Sequence, residues 1–226
     1  MKILIIIPAY NEEGNIKRVV DNIIAKYHQY DYLIINDCST DNTKQICKDN
    51  GYRYIDLSTN LGLSGALQTG FQYAYNHDYD MALQFDGDGQ HKPKYISNMV
   101  EGINEGYDII IGSRFVNEKK PFTLRMMGNI LISMVILMTT GKKISDPTSG
   151  MRMFNRKMIK EFAQNMNYGP EPDTIAYQIQ KKMKIKEVQV QMDERIAGTS
   201  YLNAMNSLKY MLTMITSILF IQRFRK

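Results

Sequence analysis

Two carboxylates separated by one glycine close the stretch Ala82-Leu83-Gln84-Phe85-Asp86-Gly87-Asp88-Gly89-Gln90-His91. Its first half is an apolar run of strand type. A strand that ends in such a pair cannot bury the charges without a partner. At the carboxyl edge of an open α/β sheet that partner is a ligand or a hard cation. The glycines keep side chains away and let backbone approach closely. Asp86 and Asp88 therefore read as a divalent-metal site that holds a diphosphate. A lone Asp-x-Asp is more often an exposed turn, and only its place at a strand end raises the metal reading.

Other acidic motifs fit less well. An EF-hand fails because the sixth loop residue is His91 rather than Gly and the twelfth is Ser97 rather than Glu. Aspartyl-nucleophile phosphatases also end a strand in Asp-x-Asp, but usually the first strand, whereas here it is the fourth. The first turn, Pro8-Ala9-Tyr10-Asn11-Glu12, lacks the glycine fingerprint of a dinucleotide site. No phosphate-loop pattern occurs. His91 reads equally as a phosphate contact and as a turn residue.

The elements that must position these residues alternate. Lys2 to Ile7 is a continuous apolar run, as a buried parallel strand should be, and too short for a signal peptide. A helix reads from Glu12 to Tyr27, with Ile16, Val19, Val20, Ile23 and Ile24 at helical spacing. Strands follow at Tyr32 to Ile35, Arg53 to Leu57, Met81 to Phe85 and Asp108 to Ile111, with helices between them. Five strand-helix alternations predict an α/β fold with a mainly parallel sheet flanked by helices. Ligands then gather at the carboxyl ends, where the loops carry Glu12, Asp37, Asp86 and Asp88.

Beyond residue 118 the rhythm changes. Leu124 to Thr140 is an apolar helix whose core, Ile130 to Met138, is too short to cross a bilayer. Asp146-Pro147-Thr148-Ser149-Gly150 is a turn, and Met151 to Phe154 suits one more strand. Helices at Arg156 to Asn165 and Glu171 to Met183 and an edge strand at Lys186 to Val190 follow. Tyr201 to Ile221 is a long methionine-rich helix, of which only Tyr210 to Ile221, about 18 Å, is fully apolar. It is expected to lie in a membrane interface with basic ends on lipid head groups. Packing on the domain's own core or in an oligomer is the alternative. The expected division is 1–200 as the catalytic domain, with 119–155 nearest the acceptor, and 201–226 as a membrane-facing helix.

The 226 residues are 44% hydrophobic and carry a net charge of +5, unevenly spread. Residues 1–118 hold 10 Lys and Arg against 16 Asp and Glu, whereas residues 119–226 hold 18 against 7. The second half thus suits an anionic partner. Thirteen of the 16 methionines follow residue 125, and a basic surface with adaptable apolar side chains favours a membrane over nucleic acid. Cys38 and Cys47 form neither a disulfide framework nor a zinc site, which points to a reducing compartment.

The combination of Pro8-Ala9-Tyr10-Asn11-Glu12, the loop Asn36 to Thr43, Asn60-x-Gly62 with Gly65-Ala66, and Asp86-x-Asp88-Gly89-Gln90-His91 resembles glycosyltransferase family 2. Gly112-Ser113-Arg114, Arg125 and Asp146-x-Thr148-Ser149-Gly150-x-Arg152 resemble its polyprenyl-phosphate branch, the dolichyl-phosphate mannose synthase-like enzymes. The resemblance implies the GT-A (nucleotide-diphospho-sugar transferase) fold. It implies that Pro8, Tyr10 and Glu12 shape the nucleotide pocket, that Asp37 meets the base, and that Gly65, Asp86 and Gly87 line the nucleotide sugar. Asp86, Asp88 and Gln90 would hold Mg2+ or Mn2+. Arg114, Arg125 and Arg152 would receive the acceptor phosphate, and Asp146 would join Asp86 and Asp88 at the reacting centre. Asn36, Cys38 and Leu63 depart from the residues usual at those positions.

The expected activity is inverting transfer of a sugar, from UDP-glucose or UDP-N-acetylglucosamine, to polyprenyl (undecaprenyl) phosphate for cell-envelope glycan assembly or decoration. A phosphate nucleophile is already anionic and needs a cationic cradle more than a base. The nearest alternative is transfer to a glycan hydroxyl, for which Asp146 is the base to consider. A nucleotidyltransferase would want a Gly-rich basic first loop, which is lacking. The expected partners are a nucleotide sugar, a polyprenyl phosphate and a membrane surface at its cytoplasmic face, with a small membrane-anchor protein and a homo-oligomer as further candidates, and no nucleic acid.

Overall fold

Apolar runs that each lead into a helix become parallel strands, because the helix returns the chain to the same end of the sheet. The computed structural model describes residues 1–121, 123–165, 171–193 and 204–221. Its strands are β1 (Ile3–Ala9), β2 (Asp31–Asn36), β3 (Tyr54–Asp56), β4 (Met81–Gln84), β5 (Ile109–Ser113), β6 (Arg152–Asn155) and β7 (Ile185–Gln189). The helices are α1 (Ile16–Lys26), α2 (Thr43–Asp49), α3 (Gly62–Asn76), α4 (Ile96–Asn104), α5 (Leu124–Thr140), α6 (Arg156–Asn165), α7 (Pro172–Gln180) and α8 (Ala204–Leu219). The strands form one sheet in the order β3-β2-β1-β4-β6-β5-β7.

All neighbours are parallel except β6, which runs antiparallel to both β4 and β5. The expected extra strand exists, but its reversed direction decides the site. Arg152, the first residue of β6, pairs with Gln84 at the end of β4 and with Ile111 near the end of β5. The turn that begins at Asp146 therefore meets the edge where the parallel strands stop.

Alternation along β1 divides the core in two. Leu4 and Ile6 face a layer with Phe71, Phe154 and Phe162, while Ile5 and Ile7 face one with Val20, Ile23, Phe85 and Met99. In the first layer Phe71 meets Phe154 edge-on at 5.2 Å between ring centroids. Gly70 lets α3 settle on β1, since a Cβ there would fall 2.3 Å from Ile6 Cγ2.

Helix α8 packs on α5 and α7. Its residues Met214 and Ile218 are buried in the first core layer. A Cβ at Gly128 of α5 would strike Met211, so the two helices approach closely there. Core packing, the alternative for this segment, thus holds for one face. Leu212 on α8 and Phe220 and Ile221 just beyond it stay exposed. No helix among the described residues is long and apolar enough to cross a membrane. The boundary expected at residue 200 and the basic end 222–226 lie outside the described residues.

Replacing Gly70 with Val should cost about 1–3 kcal/mol by overpacking against a stiff β-branched neighbour. Urea unfolding of Gly70→Val against the parent chain measures it, and an unchanged midpoint would contradict this account of α3.

Candidate active site

The loops after β1 and β2 hold each other through short polar side chains. Asn11 sits in the left-handed region at φ 55°. Its Oδ1 accepts the Thr40 N–H at 2.8 Å, and its own N–H donates to Ser39 Oγ at 3.0 Å. The Glu12 N–H donates to Thr43 Oγ1 at 2.8 Å, and Asn15 Nδ2 donates to Glu12 Oε2 at 2.8 Å. Tyr10 extends half-exposed from this frame. Asp37 is buried, and its Oδ1 accepts the Leu61 N–H at 2.7 Å. Gly65 belongs to the same clamp, because a Cβ there would lie 2.4 Å from Leu61 Cβ. Asp37 thereby ties the β2 loop to the start of α3. Asn36, unusual at its position, donates to Asp56 Oδ1 at 2.6 Å, and Asp56 pairs with Lys44 at 2.6 Å.

At the end of β4 the Asp86 N–H donates to His91 Nδ1 at 3.1 Å. In the neutral ring the proton is then on Nε2, which lies 3.6 Å from Asp86 Oδ2. His91 is buried and acts on the carboxylate from behind, leaving Asp86 about one-third exposed. Asp88 Oδ1 accepts the Gln90 N–H at 3.0 Å. Gly89, at φ 77°, makes the turn possible. Gly87 approaches β1 so closely that a Cβ would come within 3.1 Å of the Pro8 carbonyl oxygen. Gln90, expected beside the metal, turns its Nε2 to the Asp193 carbonyl at 3.2 Å. Its amide nitrogen fastens the segment that follows β7.

The cationic side is built on Asp146, which has no exposed surface. Its Oδ2 accepts Arg114 Nε at 2.7 Å and the Arg114 N–H at 3.1 Å. Its Oδ1 accepts Arg114 Nη2 at 2.8 Å and Asn129 Nδ2 at 2.9 Å. The Asp146 N–H is itself held by Glu187 Oε1 at 2.8 Å. A carboxylate so fully donated to serves as a strut. Asp146, expected at the reacting centre, is the residue that aims Arg114. Lys120 joins the network through the Asn129 side-chain oxygen, and burial holds its ammonium below the ordinary lysine range.

The two sides meet at Gly150. A Cβ there would fall 2.3 Å from Asp86 Oδ2, so only glycine lets the turn before β6 press on the Asp86 carboxylate. Arg152, two residues on, is buried, with Nη2 donating to the Pro147 carbonyl at 2.6 Å. Asp86, Asp88, Arg114, Asp146 and Arg152 are brought to one edge. The Arg125 side chain lies outside what the structure describes. The sequence reading missed Asn129, Glu187 and Lys120, whose partners are remote in the chain and whose types are common on any surface.

Such an edge, acidic beside cationic at the ends of parallel strands, is suited to binding charged ligands at the strand ends. The model for the family "Glycosyl transferase family 2" matches residues 4–162, and the chain belongs to that family of glycosyltransferases. It is 33% identical over 214 residues to the UDP-N-acetylglucosamine--dolichyl-phosphate N-acetylglucosaminyltransferase of Methanococcus voltae, covering 83% of this chain and 84% of that one. It is 26% identical to the undecaprenyl-phosphate mannosyltransferase of Micrococcus luteus, covering 88% of this chain and 87% of that one. Glucosyl-3-phosphoglycerate synthase of Mycobacterium tuberculosis, crystallised with Mn2+, UDP-glucose and phosphoglyceric acid, superposes with a TM-score of 0.73 at 17% identity. That superposition covers 100% of this chain and 81% of that one. The fold is GT-A, as the resemblance implied.

Two variants separate the strut from the corner. Gly150→Ala should displace the Asp86 carboxylate and lower turnover about a hundredfold, with the unfolding midpoint near that of the parent. Asp146→Asn should instead cost about 3 kcal/mol of stability, because Arg114 loses its counter-charge. Urea titration with steady-state kinetics on both variants checks the pair of outcomes.

Proposed function

We propose that the enzyme moves a sugar from a nucleotide-diphosphate sugar to the phosphate of a polyprenyl lipid, inverting the anomeric carbon in one displacement. The carrying observation is the shared edge, where Gly150 presses the arginine-bearing turn against Asp86. Carboxylates suited to a donor-bound cation thus adjoin guanidinium groups suited to an anionic acceptor. A phosphate monoester attacks without a strong base, so the enzyme needs charge complementarity and orientation more than proton transfer. The buried, fully donated Asp146 counts against the hydroxyl-acceptor reading, which requires a base.

The donor set fits a divalent cation. Among the described residues no group of three or more His, Cys, Asp or Glu side chains could cage a metal by itself. Mg2+ and Mn2+ are commonly held by one or two carboxylates and completed by substrate phosphate and water, which is what Asp86 and Asp88 would offer. When bound, the ion supplies positive charge to the departing diphosphate. Asp37, at the ends of β1 and β2, is the proposed contact to the base, and Tyr10 and Glu12 the walls of the nucleotide pocket. The M. voltae relative is named for a UDP-sugar and dolichyl phosphate, and the M. luteus relative for undecaprenyl phosphate. The M. tuberculosis neighbour held UDP-glucose and Mn2+. These support UDP-glucose or UDP-N-acetylglucosamine as donor.

The lipid reading also accounts for surface chemistry. Met127, Ile130, Met134, Leu137 and Met138 of α5 are exposed, and Leu212 and Phe220 are exposed at α8, which packs beside it. An apolar face of this extent suits an interfacial contact with a bilayer. The proposed station is peripheral, at the cytoplasmic face.

Incubating the protein with labelled UDP-glucose or UDP-N-acetylglucosamine, Mn2+ and undecaprenyl phosphate should carry label into organic solvent. Label confined to water-soluble glycan would favour the hydroxyl acceptor. Asp88→Ala should reduce transfer at least about a hundredfold, and chelation by EDTA should do the same; full activity in either case would remove the metal from the account.

A further inference from the structure

Arg152 is the most enclosed cation near the site, at 2% exposure, yet its Nε and Nη1 have no hydrogen-bond partner among the described residues. Its cross-strand neighbour Gln84 is 3% exposed, and its Oε1 is equally unpartnered. Buried donors left unmade cost about 1–3 kcal/mol each and are rare in native interiors. Two donors on a guanidinium, beside the strand that leads into Asp86, suit an anionic oxygen.

The chain has its own anion for Arg152 and does not use it directly. Burial disfavours the charged form of Arg152, and among the acids Glu171, just before α7, opposes that most. No ion pair joins the two. The Glu171 Oε2 accepts the Tyr210 hydroxyl of α8. The next acid, Asp173, is treated alike: its Oδ2 accepts Ser217 Oγ of α8 at 2.6 Å, and its Oδ1 accepts the Thr174 N–H at 2.7 Å. Tyr210 and Ser217 are two helical turns apart and share a face of α8. Packing alone would be served by apolar residues there. Two hydroxyls paired with two carboxylates instead hold the start of α7 in one place.

We propose that Tyr210 holds Glu171 away from Arg152, so that Nε and Nη1 of Arg152 stay available to a phosphate oxygen of a substrate. Tyr210 and Glu171 are positioning residues, and α8 is part of the phosphate site. This rests on the reading that the site takes phosphate-bearing substrates. The outer face of α8 carries Leu212 and leads to Phe220, so one helix links the apolar surface to the buried guanidinium. Without the Tyr210 hydroxyl, Glu171 gains freedom to pair with Arg152 and compete with the phosphate.

The test uses the full chain labelled with 15N. The Arg152 Nε–H resonance, assigned by its loss in Arg152→Lys, is titrated separately with UDP and with farnesyl monophosphate. One of them should shift it: UDP marks the donor diphosphate as the source of the oxygen, and farnesyl phosphate the acceptor. Tyr210→Phe should weaken that ligand about tenfold, and Tyr210→Phe with Glu171→Gln should restore it to within about twofold. Such a rescue is not expected of a merely structural defect. A resonance that neither ligand moves, an unchanged affinity in Tyr210→Phe, or a double variant as weak as the single would each overturn the proposal. A phosphate-responsive Arg152 in a protein that transfers no sugar to lipid would instead sink the functional reading and leave this one standing.

Discussion

The buried carboxylate of Asp146 is the constraint on which the cationic side of the molecule depends. It accepts both prongs of the Arg114 fork, the Arg114 backbone and the Asn129 amide, while Glu187 of β7 holds its own N–H. It thereby joins the end of β5, the first turns of α5, the turn before β6 and the edge strand. Charges removed from water are tolerated only when their hydrogen bonds are complete. The completeness here explains why Arg114 has one geometry, and why the turn from Asp146 to Arg152 reaches Asp86 in a fixed register.

The acidic side is organised by a different principle. Its loops are held by short side chains, Asn11, Ser39 and Thr43, each bonding a backbone group of the neighbouring loop. Asp86 has support from behind, through His91, and is open in front. A preorganised carboxylate of this kind loses little entropy when it meets a cation. The cationic side, by contrast, is stabilised by burial. The two meet at a glycine, which lets charges of opposite function approach without a side chain between them.

Much of this was legible along the chain. Hydrophobic period and glycine placement report local geometry, so the strands up to Ile111 and the Asp-Gly-Asp corner were readable to within a residue or two. The Asp37 and Gly65 positions were singled out, although their mutual connection through Leu61 was not. The family resemblance implied Gln90 at the metal, and the structure adds a contact the chain order did not show, from its Nε2 to the Asp193 carbonyl at 3.2 Å. Helix α8 looked interfacial because its composition is apolar; that Met214 and Ile218 enter the core depends on α5 offering Gly128 opposite Met211.

By itself the sequence determined the alternating α/β order, the carboxylate pair at the end of the fourth strand and the separation of acidic from basic halves, all of which are properties of neighbouring residues. Only the tertiary structure decided that β6 runs backwards, that Asp146 is a strut, and that Tyr210 and Glu171 belong together. Each of those turns on contacts between segments far apart in the chain. Strand direction, the saturation of a carboxylate and the partner of a buried hydroxyl leave no periodic trace, because they are set by what another element brings to the same place.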